Sequence, residues 1–193
     1  MDHSITALTD EELANRVQGG DKVAFAALME RYEKKLLRYG NRFLADREDV
    51  IDIVQEVFIS VYQNIKSFDG SQKFSPWIYR IAHNAFVNGI KKKSHNPFVM
   101  LDFDALLSHT VSEDPLRGER EQEEMQKMIE VGLDQISAKY KEVLILYYLE
   151  EMPYKEIADI LQVPSGTVGI RLKRAKDALR KVYEQMQIPY GET

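Results

Sequence analysis

The chain contains no cysteine, so disulfide staples, thiolate metal sites and cysteine nucleophiles are excluded. Its four histidines are scattered, which leaves little for a zinc site, and no metal or other cofactor is expected. No apolar run approaches the roughly 18 residues that a membrane-spanning helix needs, so direct membrane insertion is not expected. The first residues, Met1-Asp2-His3-Ser4, carry neither the basic flank nor the apolar stretch of a secretory signal, and the expected location is the cytoplasm. Convincing period-two alternation is also missing, which argues against sheets. What is present is 193 residues, 44% of them hydrophobic, with a formal net charge of −5. Such a chain can bury real cores, and its length suits one ordinary domain or two small ones. Taken whole, the acidic balance argues against a nucleic-acid partner.

Charge, however, is unevenly distributed. Residues 1–21 hold five carboxylates against Arg16 alone. Residues 66–93 reverse the sign, with Lys66, Lys73, Arg80, Lys91, Lys92 and Lys93 against Asp69. Residues 99–124 are acidic again, and residues 164–183 set Arg171, Lys173, Arg174, Lys176, Arg180 and Lys181 against Asp177. Because salt confines such fields to about 10 Å at 0.1 M, each basic segment can attract phosphate locally whatever the total charge. The plainer reading of any one run is a solvated helix face.

Helical periodicity dominates, and the expected fold is all-α, with two small helical domains joined by a linker. After Gly19-Gly20, Asp21 reads as an N-cap for a helix carrying Ala24, Phe25, Leu28, Met29, Tyr32, Leu36 and Leu37. Val50, Ile53, Val54, Val57, Phe58, Val61, Tyr62 and Ile65 then form an i, i+3, i+4, i+7 stripe, with Asp49, Asp52, Gln55 and Glu56 on the other face. A loop at 68–72 ends this helix. Ser75-Pro76 supplies a cap and a first-turn proline for the next, expected over 76–92. Between 94 and 120 the periodicity breaks around Pro97, Pro115 and Gly118, which marks an acidic linker between domains 1–93 and 121–193. Helices resume at 121–133 and 138–150, the second with Ser137 as its cap.

From Tyr154 to Leu161 a short helix presents Ile157, Ala158 and Leu161, a break follows at 162–165, and a basic helix starts near Gly166. This is helix-turn-helix spacing. Ala158 is small where two helices must approach, and Val163, Val168 and Leu172 fill the wedge between them. Ser165, Thr167 and the helix N-terminal amides suit phosphate contact, while Arg171, Lys173 and Arg174 reach toward base edges in a major groove. The competing reading is a helical hairpin with a solvated basic face.

Together these segments resemble the bacterial RNA polymerase sigma factors of the extracytoplasmic-function (ECF) group, sigma-70 family. Residues 20–25, 52–58 and 74–84 stand in the order and spacing of that family's region 2, and residues 154–158 and 163–168 look like its region 4. The resemblance runs from about Glu11 to Tyr183. It implies a promoter-specificity subunit with no chemistry and no small-molecule substrate of its own. Such a subunit would bind core RNA polymerase and promoter DNA, and an anti-sigma factor is the expected regulatory partner. It also implies that Asp49, Asp52, Gln55 and Glu56 dock on the polymerase clamp, where an acidic and amide face suits basic partners.

The loop after residue 67 and the helix that follows would capture the minus-10 element as a single strand, which calls for aromatics, amides and cations. Asn84 is the candidate for a flipped base, and Phe68, packing in that loop, is a further minus-10 candidate. Lys73, Arg80, Lys91, Lys92 and Lys93 are candidates for phosphates. Trp77 is read as core with an exposed edge, and Tyr79 as lying where exposure is open. The minus-35 duplex falls to Ser165, Thr167, Arg171, Lys173 and Arg174. The chain departs from the family pattern at Asn88, Gly89, Gly169 and Ile170. Two other classes compete with this reading: a stand-alone helix-turn-helix regulator, and a nuclease using Asp49, Asp52 and Glu56 as metal ligands. The first need not contain the amide and acid stripe beside a basic, aromatic helix, and no companion acid or histidine cluster accompanies the second.

Overall fold

A computed structural model describes residues 5, 7–93, 125, 128–129 and 132–186. These are helical or in turns, with no strand among them. The chain divides into two compact units, Met1–Pro97 and Phe98–Thr193. The expected linker over 94–120 and most of the helix expected over 121–133 lie outside the described residues.

In the first unit, α1 (Asp10–Gln18), α2 (Lys22–Asn41), α3 (Arg47–Asn64) and α4 (Phe74–Lys93) form a bundle. Each of the first three starts at a side-chain cap. Thr9 Oγ1 accepts from Glu12 N and Glu12 Oε2 accepts from Thr9 N, a reciprocal capping box. Asp21 Oδ1 accepts from Val23 N and Ala24 N, and Asp46 Oδ1 from Glu48 N, so three orphan helix donors are satisfied by acids that also complement the helix dipole. Between α1 and α2 the chain reverses through Gly20 at φ +91°, a conformation that favours glycine.

The stripe of α3 is buried as its periodicity requires, with Val50, Ile53, Val54, Val57, Phe58 and Val61 facing inward. Tyr62 is the exception. It falls off the edge of the stripe, is 46% exposed, and sets its ring 5.0 Å from Phe25 of α2. The core is strongly aromatic, with Tyr39 in edge contact with both Tyr79 and Phe86, and Tyr32 in edge contact with Phe74. Tyr79 is therefore core. At Gly40 the packing is close enough that a Cβ would lie 2.3 Å from Phe86 Cζ. Tyr32 Oη donates to Asp10 Oδ2 at 2.6 Å, and Arg31 Nη1 donates to Asp10 Oδ1 at 2.7 Å, which ties α1 to α2. Burial and the bond to Asp10 push the Tyr32 phenol well above the ordinary tyrosine range.

Helix α4 begins at Phe74, two residues before the expected start. Its first N–H is met by Glu11 Oε1 at 2.9 Å rather than by a Ser75 cap. Pro76 still falls in the first turn, where a missing N–H costs nothing.

In the second unit, Met125, Met128 and Ile129 are helical and buried, and a 3₁₀ turn spans Leu133–Gln135. Helix α5 (Ala138–Leu144) widens into a π turn over Ile145–Leu149, closed by Glu150 N donating to Ile145 O at 3.0 Å. Ser137 occupies the cap position of α5, but its side chain makes no capping bond. Helices α6 (Tyr154–Leu161) and α7 (Ser165–Gln185) follow. The turn between them places Gln162 in the left-handed region at φ 55°, ψ 45°. Ala158, Val168 and Leu172 are buried where the two helices meet, and Val163 is half-buried.

Candidate nucleic-acid interface

Helices α3 and α4 lie side by side in the first unit and leave between them a groove of about 880 Å³. One wall carries Asp49, Asp52 and Glu56, spaced i, i+3, i+7 along α3. The other carries Trp77, Arg80, Asn84, Asn88, Lys91 and Lys92 from α4. Residues assigned to two different partners thus share a single groove. Asp52, Glu56, Arg80, Asn84, Lys91 and Lys92 are exposed, while Asp49 is half-buried. Among the described residues no ion pair joins Asp52 or Glu56 to Arg80, Lys91 or Lys92. Asp52 and Glu56 on one wall and Arg80, Lys91 and Lys92 on the other therefore keep their charge available for outside partners.

Gln55 is exposed on α3 outside the groove, and Lys73 is exposed on the loop before α4. The exposed face of α3 continues through Ile59, 56% exposed, to Tyr62. Tyr62 stands on this face although the apolar stripe includes it, and Ile59, which the stripe leaves out, stands beside Asp52, Gln55 and Glu56. Trp77 is half-buried, its ring 5.3 Å from Phe68 and 5.6 Å from Phe74, with one edge on the groove. It serves as core and groove wall together.

Phe68 corrects the expectation for the loop. It is 4% exposed, wedged among Phe74 and Trp77, and its ring cannot stack on a base without leaving the core. Gly89 also has a packing reason, since a Cβ there would stand 2.6 Å from Ile53 Cδ1. The departure at 89 lets α3 and α4 close up. Lys93 lies in the last turn of α4.

In the second unit, α7 exposes Lys173 and half-exposes Gly166, Ile170 and Arg174, the i, i+4, i+7, i+8 stripe of one face. Ser165 is exposed at the first position of the helix. Thr167 and Arg171, each 5% exposed, stand on the opposite side with Val168, Leu172, Ala175 and Leu179, so neither reaches a duplex from this helix orientation. The reason is geometric, because Thr167, Arg171 and Ala175 follow one another at i+4 along the core face. Burial also pulls the Arg171 guanidinium below the usual arginine range. Ile170 is the group that composition overlooks, an apolar side chain on the basic face.

Comparison with known proteins gives this geometry a family. Residues 28–96 match Sigma-70 region 2, and residues 126–179 match Sigma-70, region 4. The chain is 36% identical over 174 residues to the ECF RNA polymerase sigma factor SigW of Bacillus subtilis, covering 86% of this chain and 92% of that protein. The chain belongs to the ECF sigma factors. It is also 34% identical over 178 residues to the ECF RNA polymerase sigma-E factor of Haemophilus influenzae, covering 89% of this chain and 94% of that one. This ECF sigma factor shares its fold with CnrH, solved in complex with the cytosolic domain of CnrY, at a TM-score of 0.67 and 21% identity over 91% of this chain and 97% of that one. The sigma factor RpoE of Bartonella quintana, solved with the anti-sigma factor NepR, matches at a TM-score of 0.59 and 21% identity, covering 83% of this chain and 96% of that one. The ECF sigma factor is thus a promoter-directing subunit for RNA polymerase, and its all-α, two-part architecture is that of its relatives. No helix among the described residues is long and apolar enough to cross a membrane, and none of those residues form a cluster able to hold a metal ion.

Proposed function

We propose the following division of labour. The first unit binds core RNA polymerase through Asp49, Asp52, Gln55 and Glu56 of α3, and holds the minus-10 element as a single strand with Lys73, Trp77, Arg80, Asn84, Lys91 and Lys92. The second unit reads the minus-35 duplex with Ser165, Lys173 and Arg174 of α7. The protein contributes binding energy to promoter opening and no covalent chemistry, needs no cofactor, and acts in the cytoplasm, where promoter DNA and polymerase are. An anti-sigma factor regulates it, a reading supported by the partner named in the Bartonella quintana complex.

The observation that carries the proposal is the α3 and α4 groove, with an acidic wall suited to a basic protein surface and a cationic, amide-bearing wall suited to an unstacked strand. Run-off transcription with purified core polymerase tests the whole function. Asp52→Arg separates its parts: association with core polymerase falls, while duplex binding by the second unit is retained. Equal damage to both steps would refute the two-unit assignment.

A further inference from the structure

Three side chains on successive turns of α1, Glu11, Asn15 and Gln18, meet the segment that joins α3 to α4. Gln18 Nε2 donates to two main-chain carbonyls of that segment, Ile65 O at 2.8 Å and Phe68 O at 2.7 Å. Ile65 opens the 3₁₀ turn Ile65–Ser67 and its carbonyl also accepts from Phe68 N at 3.1 Å, while Phe68 follows the turn, so the two bonds from Gln18 bracket the point where the helical ladder of α3 has ended. At the far end of the segment, Glu11 Oε1 accepts from Phe74 N. Between them Gly70 runs so close to α1 that a Cβ would stand 2.5 Å from Asn15 Oδ1. Within the loop, Asp69 Oδ1 accepts from both Ser71 N and Ser71 Oγ, which holds the carboxyl below the usual aspartate range. The loop is thus anchored at both ends by one distant helix, while 69–73 remain exposed at its tip.

We propose that Gln18 is a positioning residue for single-strand recognition: by clamping the carbonyls of Ile65 and Phe68 to α1, it holds loop 69–73 in the shape that receives a promoter base. This rests on the reading that the loop and α4 capture the minus-10 strand. The physical gain is preorganisation. A loop that must order on binding loses affinity for each residue it fixes, and loses discrimination between bases because no single geometry is enforced. One amide nitrogen bonded to two carbonyls on either side of a turn fixes the turn and the loop exit together.

The test uses the full chain bound to core polymerase and a single-stranded DNA pool randomised over six positions. Wild type enriches particular bases. In Gln18→Glu, which replaces the donor by an anion facing two carbonyls, and in Gln18→Leu, enrichment at one or more positions falls about tenfold, the size of one lost base contact. Binding to a minus-35 duplex is unchanged. In the free chain the emission of Trp77, its single tryptophan, shifts because the ring rests on Phe68. Gln18→Lys, which again offers one nitrogen to both carbonyls, restores enrichment. Unchanged enrichment in both Gln18→Glu and Gln18→Leu overturns the proposal. So does a loss that merely tracks the unfolded fraction on melting and is not restored by lysine. If wild type enriches no base, it is the minus-10 reading that fails.

Discussion

Arg171 and Arg174 are three residues apart in a basic run and should behave oppositely when truncated. Arg171 is 5% exposed on the core face of α7, so Arg171→Ala removes a buried stem and head together. Truncating a long buried side chain costs about 2–4 kcal/mol through the cavity that it leaves. For a unit of this size that is a melting midpoint lower by about 10 °C or more. Arg171→Met keeps the aliphatic stem and recovers most of the midpoint. Arg174 is half-exposed on the solvent face, so Arg174→Ala should move stability by no more than about 0.5 kcal/mol. It should weaken binding to the minus-35 duplex by about 1–3 kcal/mol if it reads a base, or lower the salt slope by about one if it holds a phosphate. The assays are calorimetric melting of the free chain and fluorescence anisotropy of a labelled duplex with the polymerase-bound chain, at a temperature where every variant is folded. The reasoning is refuted if Arg171→Ala leaves the midpoint unmoved and lowers duplex affinity as Arg174→Ala does.

Three further outcomes follow from the packing. Gly40→Ala forces a methyl to within 2.3 Å of Phe86 Cζ and 2.7 Å of Val50 Cγ1, and chemical denaturation should show a loss of about 1–3 kcal/mol. The raised Tyr32 phenol keeps its proton in the folded chain while unfolded tyrosine loses it, so stability is full below about pH 10 and falls above it, by about 1.4 kcal/mol per pH unit. Tyr32→Phe removes that alkaline limb relative to wild type, and parallel denaturation curves across pH 9 to 11 check it. Gln162→Gly relieves a left-handed residue and should raise the melting midpoint of the second unit, by about 0.5–1 kcal/mol of stability.

Local signals in the sequence reached α2 to α7 and one side-chain cap, but Ser75, also read as a cap, lies inside α4, and Ser137 makes no capping bond. Asp21 caps α2, the α3 stripe is buried with the carboxylates opposite, and α6 and α7 meet at Ala158, Val168 and Leu172. What they missed has two causes. Within a helix, residue type overrode angle: Arg171 was grouped with Lys173 and Arg174 for its charge, although its i+4 relation to Thr167 and Ala175 puts it inside, and Tyr62 was grouped with the core for its apolarity. Between elements, nothing local announces a bond across 47 to 63 residues, so the acidic first helix read as a charged head and not as the anchor of a loop. The π turn at Ile145–Leu149 was likewise invisible, since its five residues are as apolar as the helix that they continue.

The shared groove bears on how such proteins can be recombined. Transplanting α4 alone from a relative, to move its strand preference, also replaces half of the surroundings of the retained Asp52 and Glu56. Because Gly89 admits Ile53 so closely, a bulkier residue there would also respace the two helices. On the proposed division of labour, the unit to exchange is therefore the α3–loop–α4 hairpin as a whole, with the residues of α1 that grip its loop, and not the helix that carries the cations.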